Sequence, residues 1–206
     1  MGLFSKLLLL LVLCISVKNA DAQSDWLEKI TEHRAKYFNS YPYQDRKPYE
    51  AADTLHLDFF APDSAFKVTA RFEPIEDAKV FEMPTYSGSS KPFQAFGYLH
   101  FKIGNDSLRL TIYQNIQLLK NPLYKNELFL PFKDISNGSA TYGGGRYLEL
   151  TKFDIDPDNE VELDFNFSYN PWCAYGDGFN CPVPPSENHL SVEIPVGEKA
   201  FKKTGH

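Results

Sequence analysis

The sequence is poor in cysteine, methionine and tryptophan, with three, two and two residues among 206. So few cysteines exclude a disulfide-dense scaffold. There is no basic excess either: 21 Lys and Arg stand against 27 Asp and Glu, a formal net charge of -6. That balance argues against a nucleic-acid binder. No apolar run is long enough to span a bilayer, and there is no fixed-period repeat or low-complexity tract. The cysteine and histidine spacings match no zinc site. The glycines of Gly143-Gly144-Gly145 are not followed by the Lys-Ser/Thr of a phosphate loop, nor do they form a dinucleotide fingerprint. No metal and no cofactor is expected.

What is present points to strands. The hydrophobic share is 43%, and 17 Phe and 12 Tyr dominate the aromatic content, a composition that suits pleated surfaces. The first 22 residues read differently. Lys6 precedes the apolar run Leu7 to Val17, and Ala20-Asp21-Ala22 forms an A-x-A pattern, as in a secretory signal peptide cleaved before Gln23. Lipidation at Cys14 is disfavoured, because the preceding Leu11-Val12-Leu13 is bulky where that processing needs a small residue. The expected compartment is therefore periplasmic or extracellular, with Cys173 and Cys181 as the two remaining cysteines.

Residues 24–38 carry a helical stripe of Trp26, Ile30, His33 and Tyr37, with Asp25 and Glu28 placed as a capping box. This helix is expected to pack outside a sheet. A connector runs to residue 53. From Thr54 the period changes to two, over Leu55–Phe59 and again over Phe66–Phe72. A short strand is expected at Lys79–Met83. Leu99–Ile103 and Leu108–Ile112 flank Gly104-Asn105-Asp106 as a hairpin. Glu127–Phe132 is a further strand. Arg146–Phe153 and Glu160–Phe167 read as a second hairpin, and Leu190–Ile194 as the last strand. The expected class is all-β and mainly antiparallel: a curled sheet, sandwich or open barrel of about eight or nine short strands. The domain limits read from the sequence are a signal peptide at 1–22, helix and connector at 23–53, a β domain at 54–199 and a tail at 200–206.

Several segments from residue 129 onward resemble an uncharacterised bacterial family, the domain of unknown function 1684. They are Leu130-Pro-Phe-Lys-Asp134, Thr141-Tyr-Gly-Gly-Gly-Arg-Tyr-Leu148, Asp164-Phe-Asn166, Tyr169-Asn-Pro-Trp-Cys-Ala-Tyr175, Cys181-Pro-Val-Pro-Pro-Ser-Glu-Asn188 and Gly197-Glu-Lys199. The likeness continues more weakly upstream through Leu57–Phe72. The chain resembles a short exported form without the extra N-terminal domain of longer members. The resemblance implies a fold and a site position but no reaction.

Four segments could carry chemistry. Gly143-Gly144-Gly145-Arg146 could cradle an anion, with Tyr142 beside it, since glycines admit close backbone approach and Arg offers a two-pronged donor. The alternative is a glycine turn with Arg146 paired to Asp134 or Asp164. On Leu163–Ser168, strand alternation would set Asp164, Asn166 and Ser168 on one polar face. The loop Tyr169–Asn188 holds Tyr169, Asn170, Tyr175, Glu187 and Asn188. In it Cys173 and Cys181 read first as a disulfide, or else as a thiolate served by His189. Asp154–Glu160 resembles the start of a calcium loop but lacks its Gly and its closing Glu.

These segments suggest a small-ligand site. In an enzyme, a hydrolase, catalysis would rest on Asp134, Asp164 and Glu187 as acid and base groups. Tyr142, Arg146, Asn166, Tyr169, Asn170, Tyr175 and Asn188 would bind the ligand. In a binding module, stacked Tyr and Trp would hold a glycan or small molecule. A structural envelope-interaction domain is the third reading. The chain is expected to be a monomer whose partner is a small molecule or glycan, with no nucleic acid and no stable membrane insertion.

Overall fold

The computed structural model describes residues 22–35 and 51–202. These fall in two compact units divided between Gln44 and Asp45. In the first, residues 22–35 form the helix α1. The helical stripe is correct as far as it is described: Trp26 and Ile30 are buried and His33 is half-buried. The predicted cap is not, because the helix already runs from residue 22 and Asp25 lies inside it. Tyr37 and the predicted leader up to residue 21 lie outside the described residues.

The second unit is a seven-stranded antiparallel sheet, so the all-β expectation holds with fewer strands than predicted. The strands are β1 (Lys67–Pro74), β2 (Val80–Pro84), β3 (Ser90–Ile103), β4 (Asp106–Asn115), β5 (Glu127–Phe132), β6 (Arg146–Thr151) and β7 (Glu160–Asp164). Their order is β6-β5-β4-β3-β1-β7, with β2 also paired to β3. The first predicted hairpin is present: Ile103 faces Asp106 and Gly104 takes a positive φ of 57° that a tight hairpin turn requires.

The second predicted hairpin is absent. β6 pairs with β5 and β7 with β1, so these consecutive strands end the sheet on opposite sides. Sequence alternation cannot distinguish a strand that pairs with its neighbour from one that closes a curl. The curl is measurable. In a flat sheet, β5 and β7 would lie four strand spacings apart, roughly 19 Å. Yet the ring of Phe132, at the end of β5, is 5.4 Å from that of Phe165, the residue after β7. The concave side is filled by Ala70, Phe72, Leu99, Leu110, Ile112, Leu128, Leu130, Leu148, Val161 and Leu163. These residues come from alternate positions of six strands.

Two more predicted strands differ. Ala51–His56 is a 3-10 turn, and the Leu55–Phe59 stretch contributes only a bridge from Phe59 to Glu198. Leu190–Ile194 is irregular. Its N–H and C=O groups are divided among unlike partners: Leu190 N donates to Lys133 O at 2.7 Å, Ile194 N to Asp134, and Ile194 O accepts from Arg146. The first half of the segment thus bonds to the backbone of Lys133 and Ile135, and at Ile194 the side chains of Asp134 and Arg146 take the bonds that a neighbouring strand would have used. The first half of β3 was not legible because a bulge between Ala95 and Gly97 shifts the alternation.

Candidate functional site

Arg146 opens β6 and is 0% exposed. The pleat aims it to the same side as Leu148, into the concave core. Its Nη2 donates to Asp134 Oδ2 at 2.8 Å and to Ile194 O at 2.8 Å. Its Nη1 donates to Val196 O and to Glu198 O. The guanidinium carbon lies 5.4 Å from the Phe132 ring centre. Burial lowers the Arg146 pKa, opposed by the Asp134 carboxylate. Asp134 also accepts from Ser136 N at 2.8 Å and from Ile194 N at 3.3 Å. In this structure Arg146 is the clasp of a sealed ion pair, the alternative to an anion cradle.

Glu198 lies beside this pair and went unnoticed in the sequence, where it sits near a polar tail with no local pattern to mark it. It is 0% exposed. Tyr175 donates its hydroxyl to Oε1 at 2.6 Å, and Asn170 N donates to Oε2 at 2.8 Å. Asn170 Nδ2 donates to Lys199 O at 2.7 Å. Burial pushes the Glu198 carboxyl up to about 7, against the pull of Tyr175, Asn170 and Arg146. Gly197 has a φ of 76°, and a Cβ there would stand 2.0 Å from Ser168 Oγ, so only glycine fits.

The polar face predicted for Asp164, Asn166 and Ser168 does not form, because β7 ends at Asp164 and residues Phe165–Phe167 turn as a 3-10 helix. Asp164 Oδ1 caps that turn, accepting from Asn166 N at 2.9 Å and Asn166 Nδ2 at 2.7 Å. The Asn166 amide also exchanges two bonds with the Asp63 backbone, at 2.8 and 2.9 Å. Asn188 does the same between strands. It accepts from Thr111 N at 2.8 Å and donates to Thr111 O at 2.8 Å and Pro131 O at 2.7 Å. β4 and β5 share one registered pair, Tyr113 with Phe129. Asn188 therefore supplies hydrogen bonds where the two strands part. Its neighbour Glu187 is exposed and accepts the Tyr113 hydroxyl at 2.8 Å; this bond and burial push the Tyr113 pKa up.

Cys173 and Cys181 are disulfide-bonded, with Cα atoms 6.2 Å apart. That removes the thiolate alternative, and His189 Nε2 instead lies 3.2 Å from Pro184 O. Three tyrosines clamp the disulfide loop. Tyr142 donates to Cys173 O at 3.3 Å, Tyr147 to Pro182 O, and Tyr86 N to Cys181 O at 3.1 Å. The Tyr86 hydroxyl donates to Gly144 O at 2.6 Å, and burial carries its pKa to about 12. A Cβ on Gly144 would stand 2.2 Å from the Tyr142 ring and 2.9 Å from the Tyr86 hydroxyl. The glycine run thus admits tyrosine rings, a reading the sequence alone did not offer.

Tyr86 is 41% exposed and Tyr142, Trp172 and Phe179 are half-buried. The Tyr86 and Tyr142 rings meet edge to face at 6.4 Å, and Trp172 and Phe179 at 5.3 Å. Tyr169 packs on Tyr147 at 6.0 Å and donates to Glu149. Of the predicted site residues, Asp134, Arg146, Asp164, Asn166, Asn170, Tyr175 and Asn188 are buried, whereas Tyr142 and Tyr169 are half-buried and Glu187 is exposed. Asp156 accepts from Asp158 N and Glu160 N and closes an ordinary turn. Among the described residues, no three His, Cys, Asp or Glu side chains are arranged to hold a metal, and no helix is long and apolar enough to cross a membrane.

These features define a disulfide-closed, curled antiparallel β domain with its polar groups turned inward. Residues 54–199 match the profile of a family described as protein of unknown function (DUF1684), and the chain belongs to that family. The solution NMR structure of an uncharacterized protein from Haloarcula marismortui is similar, with a TM-score of 0.67 and 26% identity over 90% of this chain and 99% of that one. No curated protein matches the chain.

Proposed function

We propose that the protein is an exported, non-catalytic binding module that holds a glycan or similar small polar ligand on the aromatic face beside the disulfide. The observation that carries this reading is the division of the site residues. Asp134, Asp164, Arg146, Asn166 and Asn188 are buried and hydrogen-bonded to the chain itself. Tyr86, Tyr142 and Trp172 present ring surface outward, as sugar stacking requires. Glycoside hydrolysis typically uses a carboxylic acid and a carboxylate facing one ligand, and two of the three candidate carboxylates, Asp134 and Asp164, are buried.

Export is supported by the leader pattern of residues 1–22 and by the disulfide, which persists in oxidising compartments. The test is a thermal-shift screen of soluble oligosaccharides against wild type and a Tyr86→Ala, Tyr142→Ala double variant. A sugar that raises the wild-type melting temperature and leaves that of the variant unmoved supports the reading. Turnover of any sugar, lost in Glu187→Gln, overturns it in favour of an enzyme.

A further inference from the structure

We propose that Glu198 is a proton-operated latch: its protonated carboxyl holds residues 170–175 against the C-terminal stretch 197–201, and loss of the proton frees them. Residues 197–201 are tied down through the backbone. Phe60 N donates to Gly197 O at 3.0 Å, and Glu198 N, Lys199 N and Ala200 N donate to Ser168 O, Asp58 O and Ala140 O, each at 2.9 Å. Residues 170–175 meet this stretch through the Glu198 side chain. Asn170 N donates to one carboxyl oxygen at 2.8 Å, and the Tyr175 hydroxyl donates to the other at 2.6 Å. One carboxyl thus brackets both ends of the segment, with Trp172 and Cys173 between them. The contact also includes Asn170 Nδ2 on Lys199 O at 2.7 Å and the Tyr175 ring on Phe201 at 5.2 Å. Gly176 and Gly178 follow Tyr175, Gly178 with a φ of 81°, and glycines supply a joint.

Charge makes this carboxyl the moving part. Arg146 is the buried cation beside it, and its Nη2 is committed to the buried Asp134 at 2.8 Å. One buried cation thus serves two buried carboxyls, and ionising Glu198 leaves a surplus negative charge out of water. The protonated acid keeps acceptor capacity for the Asn170 N–H and the Tyr175 hydroxyl. The other titratable groups on the elements packed here face different partners. Lys199 Nζ pairs with Asp58 at 2.8 Å in an exposed position, and His56 meets Phe201 edge-on at 6.2 Å.

The direction follows from linkage. With the segment closed, burial holds the Glu198 carboxyl at about 7; opened to water, it returns to its ordinary 4.5. Opening therefore releases a proton between these values. The opening constant is lowest below 4.5, rises about tenfold per pH unit, and levels off above about 7. The segment that carries Trp172 and Cys173 is thus held shut in acid and loosened toward neutral pH. The latch acts whether or not a sugar binds the aromatic face, so either reading can fail without the other.

The test is amide hydrogen exchange of the ligand-free full chain from about pH 5 to about pH 8, corrected for the intrinsic pH dependence of exchange. The Asn170 amide reports the latch. The Leu99 amide, in β3 between β1 and β4, reports global unfolding. Asn170 is expected to exchange more than about tenfold faster than Leu99, and its protection to fall about tenfold per pH unit up to neutrality. Glu198→Gln, which has no proton to lose there, should flatten that profile, and His56→Gln should leave it sloped. Equal exchange of Asn170 and Leu99 in wild type would make the opening global and overturn the latch, whatever the variants do. So would a flat wild-type profile, a slope kept in Glu198→Gln, or a slope removed by His56→Gln.

Discussion

Arg146 and Tyr147 are neighbours in β6, and the pleat sends them to opposite sides of the sheet. Arg146 enters the concave core and is enclosed by Asp134 and three backbone carbonyls. Tyr147 joins Phe129, Tyr169 and the tyrosines that clamp the disulfide loop on the other side. The inner region holds the residues whose chemistry resembles catalysis: Asp134, Arg146, Glu198, Tyr175 and Asn170. The outer region holds residues whose chemistry resembles packing. The comparison teaches that reactive side-chain types do not mark a site until their partners are known. Here the reactive types bond to the chain itself, and it is Tyr86, with the half-buried Tyr142 and Trp172, that reaches solvent.

If the inner region is structural, its loss should appear in stability. The largest expected effect is Arg146→Ala. It leaves Asp134 buried without its cation, which costs roughly 3–5 kcal/mol, and denaturant unfolding should show it. Asn188→Ala comes next, because it strips partners from the Thr111 N–H, Thr111 C=O and Pro131 C=O. About 3 kcal/mol is expected, and a loss well below 1 kcal/mol would contradict its role between β4 and β5.

Glu198 gives a pH signature of the same region. Its carboxyl titrates near 7 in the folded protein against an ordinary 4.5, so between those values the native state keeps a proton that the unfolded state has released. This contribution is complete below the unfolded value and is lost as pH rises through about 7. Its full span is on the order of 3 kcal/mol. Glu198→Gln should remove that slope from the stability profile, and an unchanged slope would place the titration elsewhere.

The outer region should lose less. Reduction, or Cys173→Ser with Cys181→Ser, releases a short closed loop worth about 2.6 kcal/mol by chain entropy. Because Tyr142, Tyr147 and Tyr86 all bond to that loop, the same treatment should weaken ligand binding. Unaltered binding after reduction would separate the tyrosine face from the disulfide.

The sequence made the sheet faces legible because alternation reports which residues are buried together: Ala70 and Phe72, Leu99 and Phe101, Leu110 and Ile112 are all in the core. It did not reveal that β6 and β7 close opposite edges, because pairing partners leave no trace in alternation. Residues of the candidate site were legible by type, and the pairing of Cys173 with Cys181 by count. Their direction was not. Asn166 and Asn188 look alike in sequence whether they face a ligand or a backbone amide. Glu198 and Tyr86 gain their roles from contacts across the chain, Glu198 with Arg146 and Tyr86 with Gly144.

The central claim is that ligand contact belongs to the tyrosine face and stability to the Arg146 cluster. It is tested most directly by ligand-induced thermal shift of the Tyr86→Ala, Tyr142→Ala variant against its own unliganded melting temperature, with wild type alongside. A cooperative melt without any shift, where the same oligosaccharide stabilises wild type, is the predicted result. A full shift in the double variant would contradict it.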